Sequence, residues 1–191
     1  MSITYNGTAL TVLKTQASAL GAIRAEVWGL VAPATGSNTI AVTLSAALDS
    51  AGSASSYTGV HQTSPTEGSN SATATNVGAA DATVTITTVA DNDWAVDTVA
   101  TDDTAITVGA GQVSRANTSG TLGSGALSDE GPKTPAGTVT MSWQDVGALA
   151  TWSIVAVGLR PVAAAALGGG AIPLIGRGPG MSLAWHSGLA A

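Results

Sequence analysis

Alternation of apolar residues with small polar ones is the feature that most constrains the fold of this chain. In the segment 138–143, Val139, Met141 and Trp143 alternate with Thr or Ser, and the segment 39–44 alternates apolar residues with Thr or Ala. A spacing of two residues places one set of side chains on each face of a strand, and it does not fit a helix. The chain is therefore predicted to be built from half-buried strands.

The spacing of such segments predicts an all-β fold. An extended lead-in with a turn at Asn6 and Gly7 precedes ten predicted strands at regular intervals. This pattern is typical of a two-sheet antiparallel sandwich, jelly-roll-like in its organisation. We expect residues 1–161 to form the β-sandwich domain and residues 162–191 to form an irregular, apolar C-terminal tail. The ten predicted strands are 23–32, 39–48, 54–60, 72–76, 82–89, 94–101, 106–108, 112–117, 138–143 and 151–160.

The connections between these strands are read from turn-forming residues. The polar stretch 61–71 and the Gly-, Ser- and Pro-rich stretch 119–135 are predicted to be loops. The strands 82–89 and 94–101 are predicted to form a hairpin around the Asx-rich turn at 90–93, because Asp and Asn side chains bond readily to nearby backbone.

Composition excludes one class of partner and one kind of site. The chain has 191 residues, a formal net charge of −6, few charged residues and no cysteine. Its six basic residues are scattered, so none forms a patch that could neutralise several phosphates, and no nucleic-acid partner is expected. Without cysteine there are no disulfides and no thiolate metal sites. The basic residues are Lys14, Arg24, Arg115, Lys133, Arg160 and Arg177.

The sequence also predicts no membrane partner. The segment 1–7 lacks the basic and apolar regions of a signal peptide. The longest uncharged apolar run, 162–176, is shorter than a membrane-spanning helix and contains a proline and three consecutive glycines.

The tail after Pro161 is the candidate functional segment. It is too apolar for a free solvated tail and too interrupted by Gly and Pro for a stable helix. We therefore predict that another polypeptide covers it, either a second copy in a homo-oligomer or another protein of the assembly. The residues predicted to form this assembly interface are Ile172, Leu174, Ile175, Met181, Leu183, Trp185 and Leu189.

Residues that could carry chemistry have simpler structural interpretations. An acidic cluster invites a calcium hypothesis, but the glycine and the bidentate glutamate of a calcium loop are absent, and turn formation is the preferred interpretation. The two histidines, His61 and His186, have no second ligand at metal-binding spacing. We therefore predict no catalytic, cofactor-binding or metal-binding residues and no enzyme. The acidic cluster comprises Asp91, Asp93, Asp97, Asp102 and Asp103.

Four of the five tryptophans fall within predicted strands. Trp94, Trp143 and Trp152 follow the apolar register and are predicted to be core residues, although tryptophans can also stack on sugars. Trp28 shares a strand face with Arg24 and Glu26, which predicts a sheet edge or a contact. These two charged residues are predicted to form an ion pair near the rim, where Arg160 could join them.

Four segments in order resemble a β-sandwich family that is common among structural proteins of tailed phages. They are IRAEVWGLVAPATGSNTIAVTLSA from Ile23, SYTGVHQTSP from Ser56, VTITTVADNDWAVDTVA from Val84 and VTMSWQDVGALATWSIVAVGLRP from Val139. The resemblance implies a module on the virion surface or tail, built for assembly or attachment. It supplies no catalytic residues, and it does not extend to residues 162–191.

Three functions follow as hypotheses. The first is a non-enzymatic structural subunit of a viral particle, such as a decoration, head-fibre or tail-surface protein, located in the virion. The second is a module that binds a host-surface glycan, with the loops 61–71 and 119–135 as the binding surface. The third is a hydrolase, which would need His61 or His186 beside a nucleophile in a cleft.

Overall fold

The computed structural model describes residues 1–19, 21, 23–77, 81–120, 123–144, 150–162 and 179–187. The described residues form strands and no helix, as the alternation predicted. The strands are β1 (Ser2–Tyr5), β2 (Thr8–Ala9), β3 (Thr11–Ala17), β4 (Arg24–Val31), β5 (Ile40–Thr43), β6 (Ser50–Thr58), β7 (Thr66–Val77), β8 (Ala82–Thr87), β9 (Asp93–Thr101), β10 (Thr107–Val108), β11 (Val113–Gly120), β12 (Gly123–Lys133), β13 (Thr138–Gln144), β14 (Ala150–Leu159) and β15 (Pro179–Ser187).

These strands pair antiparallel in four sheets within the described residues. The five-stranded sheet has the order β11-β12-β9-β14-β7, and the four-stranded sheet has the order β3-β4-β15-β6. A three-stranded sheet, β10-β13-β8, is here called the outer sheet, and β2-β1-β5 is called the N-terminal sheet. The predicted all-β class is confirmed, and the facing five- and four-stranded sheets are compatible with a β-sandwich.

The first core lies between the outer sheet and the five-stranded sheet. Trp143 and Met141 from β13 are fully buried against Val99 of β9 and Ile154 of β14. The burial of β8 alternates strictly from residue to residue, so its apolar face lies on this core and its threonines face outward.

The second core lies on the opposite face of the five-stranded sheet. Val27 of β4 packs in one cluster with Leu127 of β12 and Val155 of β14. The N-terminal sheet then covers the other face of β4, where Ile3 and Tyr5 pack against Trp28. The three central strands of the five-stranded sheet, β12, β9 and β14, are therefore buried on both faces over most of their length.

The stretch 119–135 is the main correction to the sequence prediction. It was predicted to be a loop, but most of it is β12, which pairs with β11 on one side and with β9 on the other. The segment 124–129 is buried, with Ser128 and Asp129 fully inaccessible. Small residues suit a strand packed between two neighbouring sheets because there is little room for large side chains on both faces.

The stretch 61–71 and the predicted hairpin also need correction. β7 begins at Thr66, so only the first part of 61–71 is a loop. β8 pairs with β13, while β9 pairs with β12 and β14, so the chain crosses between two sheets at 88–92 instead of turning back in a hairpin. The binding surface proposed for a glycan is therefore largely strand.

Several local predictions are confirmed. Asn6 and Gly7 both have positive φ, at 48° and 77°, as a tight hairpin turn requires. Trp143 and Trp152 are core residues, whereas Trp94 is half-buried at the edge of the second core.

Candidate assembly site

The tail contributes a strand to the body of the protein. β15 lies between β4 and β6 and pairs with β6 over its whole length and with β4 from Gly180 to Ser187. The prediction of an irregular tail is therefore wrong for 179–187. The physical reason is that β4 and β6 each present an open row of backbone donors and acceptors, which a further strand satisfies.

The predicted interface residues divide into two groups. The structure places Met181, Leu183 and Trp185 in β15, with Cα partners Leu30, Trp28 and Glu26 on β4. The structure describes only the backbone of these three residues. The residues of the second group lie entirely outside the described residues. For both groups, the role as an assembly contact remains a prediction. The second group consists of Ile172, Leu174, Ile175 and Leu189.

The tail begins from a fixed point at the end of β14. Pro161 forms an isolated bridge with Val60, and the amide of Val162 donates to the carbonyl of Gly59 at 2.7 Å. The carbonyl of Arg160 accepts the amide of His61 at 2.9 Å, and the amide of Arg160 donates to the carbonyl of Pro65 at 2.9 Å. The described part of this segment therefore ends at Val162, beside the loop that follows β6.

β6 is held to the five-stranded sheet by a buried polar network. The hydroxyl of Tyr57 donates to Asp129 Oδ2 at 2.8 Å, and Arg115 donates to both carboxylate oxygens of Asp129, at 2.6 and 2.9 Å. Asp129 is fully buried, so these charge-assisted bonds offset the cost of desolvating its carboxylate. Burial raises the pKa of Tyr57 above its ordinary value, which keeps its hydroxyl proton in place.

A cavity of about 410 Å³ lies beside this network. Leu13 of β3, Leu30 of β4 and Leu159 of β14 are among the apolar residues that line it, and Val60 lines it next to the start of the tail. The cavity therefore adjoins both the point where the tail leaves and the sheet to which it returns.

A second buried network joins the outer sheet to the five-stranded sheet. Asp97 Oδ1 accepts the amide of Ser128 at 3.0 Å and its hydroxyl at 2.6 Å, and Asp97 Oδ2 accepts Trp143 Nε1 at 2.9 Å. Gln112 extends the network by donating to Ser128 Oγ at 2.6 Å and accepting the amide of Ser142 at 2.7 Å. Burial raises the pKa of Asp97 to about 7, although its three donors act in the opposite direction.

Two carboxyl groups meet at the turn between β8 and β9. The amide of Ala90 donates to Glu67 Oε1 and to Asp93 Oδ2, both at 3.0 Å, so the two carboxyl groups lie side by side. A hydrogen bond with Asp93 raises the pKa of Glu67, and burial raises it further. Arg160 Nε lies 3.7 Å from Glu67 Oε2, so Arg160 pairs with Glu67 and does not join Arg24 and Glu26 as predicted.

The predicted ion pair of Arg24 with Glu26 is present on β4. Glu26 is only 1% exposed, and Trp28 Nε1 donates to its Oε2 at 2.6 Å. This hydrogen bond to the Glu26 carboxylate fixes the indole of Trp28. The sequence pattern predicted only that the two side chains lie on the same face of the strand.

The other acidic residues serve the backbone. Asp91 Oδ1 accepts the amide of Ala136 at 2.8 Å, and Asp102 Oδ1 accepts the amide of Thr151 at 2.7 Å. Asp93 and Asp103 bond nearby backbone as the turn-forming interpretation predicts, since Asp93 Oδ2 accepts the amides of Val89 and Ala90 and Asp103 Oδ1 accepts the amide of Ala105. Asp91 and Asp102 instead bond distant segments, and Asp97 is buried within β9. Within the described residues, no three His, Cys, Asp or Glu side chains come together as a metal site requires.

His61, which the hydrolase hypothesis requires, lies in the loop after β6. Its Nδ1 accepts the amides of Thr63 at 3.3 Å and Ser64 at 3.1 Å, so the ring closes a local turn. The side chain of His186 is not among the described parts of β15. The described ranges contain no helix with the length and apolar character needed to cross a membrane.

Comparisons with protein-family models, with curated proteins and with solved structures give no match.

Proposed function

We propose that this protein is a non-enzymatic structural subunit that acts by assembling with copies of itself and with neighbouring proteins. We further propose the virion as the setting, with a role such as a decoration, head-fibre or tail-surface protein, from the order and spacing of the four sequence segments that begin at Ile23, Ser56, Val84 and Val139.

One observation carries the proposal. The apolar tail supplies β15, which fills the space between two strands from the first third of the chain, β4 and β6. Without β15 these two strands would present open edges, and open strand edges are the sites where β proteins join other chains. β6 has no charged residue or proline to block such pairing.

The rest of the chain is suited to holding this contact in a fixed position. Three apolar cores join the four sheets in layers, and hydrogen bonds to the buried carboxyl groups of Asp129 and Asp97 fix their relative positions. Few exposed side chains are long and charged, so covering the surface with a neighbouring subunit costs little side-chain entropy.

Sedimentation of the full chain tests the proposal. We expect a discrete oligomer of fixed stoichiometry, and a chain ended after Arg160 should lose this oligomer. Tryptophan fluorescence and circular dichroism establish whether the shortened chain keeps its body. If the shortened chain does not keep its fold, the peptide 179–187 is added in trans and sedimentation is repeated. The peptide should restore the fold without restoring the oligomer. A full chain that stays monomeric up to about 100 μM, on the affinity scale of weak complexes, would refute self-assembly.

The virion setting needs a separate test. Antibodies raised against residues 1–161 should label the surface of purified phage particles in electron micrographs. Particles that carry no label, from lysates in which the protein is present, would refute the virion role and leave self-assembly standing.

A further inference from the structure

We propose that β15 is exchanged between copies, so that the strand of one chain fills the space between β4 and β6 of a second copy of the same chain. This inference deepens the proposed function and rests on it, because it names the contact by which the subunits join.

The register of the tail along β6 is the first argument. Pro161 is bridged to Val60, and the amide of Val162 bonds to the carbonyl of Gly59. β15 then begins with Pro179 opposite Thr58, the next residue along β6. Residues 161–162 therefore pair with the two residues just after β6, and β15 continues in the same direction from the last residue of β6.

The length of chain between these two points is the second argument. Residues 163–178 are sixteen in number and connect positions that are adjacent on β6. Segments that follow one another in the same direction along one partner need no long connection, and connections of more than about 12–15 residues usually serve a function. Sixteen residues can span up to about 55 Å when extended, which is enough to reach a neighbouring subunit.

The identity of the partner follows from the pairing. A second copy offers the same β4 and β6, with the same register, to an incoming β15. The hydrogen bonds of the closed chain can therefore be remade between copies without a new interface, which is why strand exchange is a low-cost route to oligomers. The only new requirement is a connector long enough to cross between bodies, which residues 163–178 supply.

The occupied sheet shows what the exchanged strand would gain. On β4, β15 pairs from Arg24 to Val31, and on β6 it pairs from Ser50 to Thr58. β4 packs on the second core through Val27 and against the N-terminal sheet through Trp28. β4, one side of the acceptor site, is thus anchored to the body of the protein by contacts that do not involve β15.

Cysteine cross-linking distinguishes exchange from closure within one chain, because the protein has no cysteine of its own. Ser50 and Ser187 are Cα partners at the end of the β6–β15 ladder. Such partners lie within the distance that a disulfide spans. We expect the double variant Ser50→Cys/Ser187→Cys to form disulfide-linked chains after oxidation. We also expect the two single variants, refolded together, to form a mixed disulfide identified by peptide mass spectrometry.

A matched pair on the body of the protein provides the control. Thr85 and Thr140 are exposed partners on β8 and β13, with their Oγ1 atoms 3.0 Å apart. The variant Thr85→Cys/Thr140→Cys should close within one chain, and the two single variants should form no mixed disulfide.

The outcomes separate the two proposals. A Ser50→Cys/Ser187→Cys disulfide that closes within one chain overturns strand exchange. Failure of this pair to form a disulfide, while the Thr85→Cys/Thr140→Cys pair closes normally, also overturns it. If the unmodified protein is still oligomeric in either case, the proposed function stands and the subunits join by another surface.

Discussion

Asp97 makes the stability of this protein depend on pH in a direction opposite to that of most carboxylates. Asp97 is fully buried between two sheets, and its pKa is raised from an ordinary value of 3.8 to about 7. The folded protein therefore keeps this proton between about pH 4 and pH 7, where the unfolded chain has already lost it. Stability should fall as the pH rises through this window, and the contribution should be constant above it.

The magnitude follows from the two pKa values. They differ by about three units, and each unit corresponds to about 1.4 kcal/mol, so the contribution of Asp97 should change by about 4 kcal/mol across the window. The proton has an acceptor in the folded state because Ser128 Oγ lies 2.6 Å from Asp97 Oδ1 and its hydroxyl can rotate. The loss above pH 7 reflects the cost of holding a carboxylate between two apolar layers.

The variant Asp97→Asn removes this titration while keeping the size of the side chain. We expect the difference in free energy of unfolding between the unmodified protein and this variant to change by several kcal/mol from pH 4 to pH 8, with the unmodified protein losing stability as the pH rises. Urea denaturation followed by tryptophan fluorescence measures it. Asp91→Asn is the matched control, because Asp91 is exposed and Asn keeps the oxygen that accepts the amide of Ala136. A difference that stays constant over this range would show that Asp97 does not titrate there, and it would refute the reasoning.

Three further predictions concern the buried contacts. Trp143→Ala should cost about 3–5 kcal/mol in a denaturant melt, as large-to-small core changes do, and a loss below about 1 kcal/mol would contradict the core position of Trp143. Tyr57→Phe should cost about 1–3 kcal/mol because buried Asp129 loses a donor, and an unchanged urea midpoint would contradict the network between β6 and β12. Gly158→Ala should destabilise the protein in thermal melts because its Cβ would meet the carbonyl oxygen of Glu67, whereas Gly137→Ala should not, because its Cβ would come no nearer than 4.0 Å to the carbonyl oxygen of Pro135.

The sequence predicts a strand well where apolar and polar residues alternate strongly along the segment. In β13, Val139, Met141 and Trp143 face the core as the period of two requires. The turn at Asn6 and Gly7 was also predictable, since its chemistry is local. In both places the signal lies within a few neighbouring residues, so no knowledge of the rest of the chain is needed.

The sequence alone therefore determined the all-β class, the strands that alternate clearly, the turn at Asn6 and Gly7 and the apolar character of the tail. Only the tertiary structure decided that β12, composed largely of small and polar residues, is a buried strand. It further decided that β8 and β9 belong to different sheets, and that the side chain of Asp97 in β9 is buried between these two sheets. It also decided where β15 inserts. The physical reason is that strand pairing joins residues far apart in the chain, so a segment such as 124–129 is ordered by its neighbours on four sides and not by its own side chains.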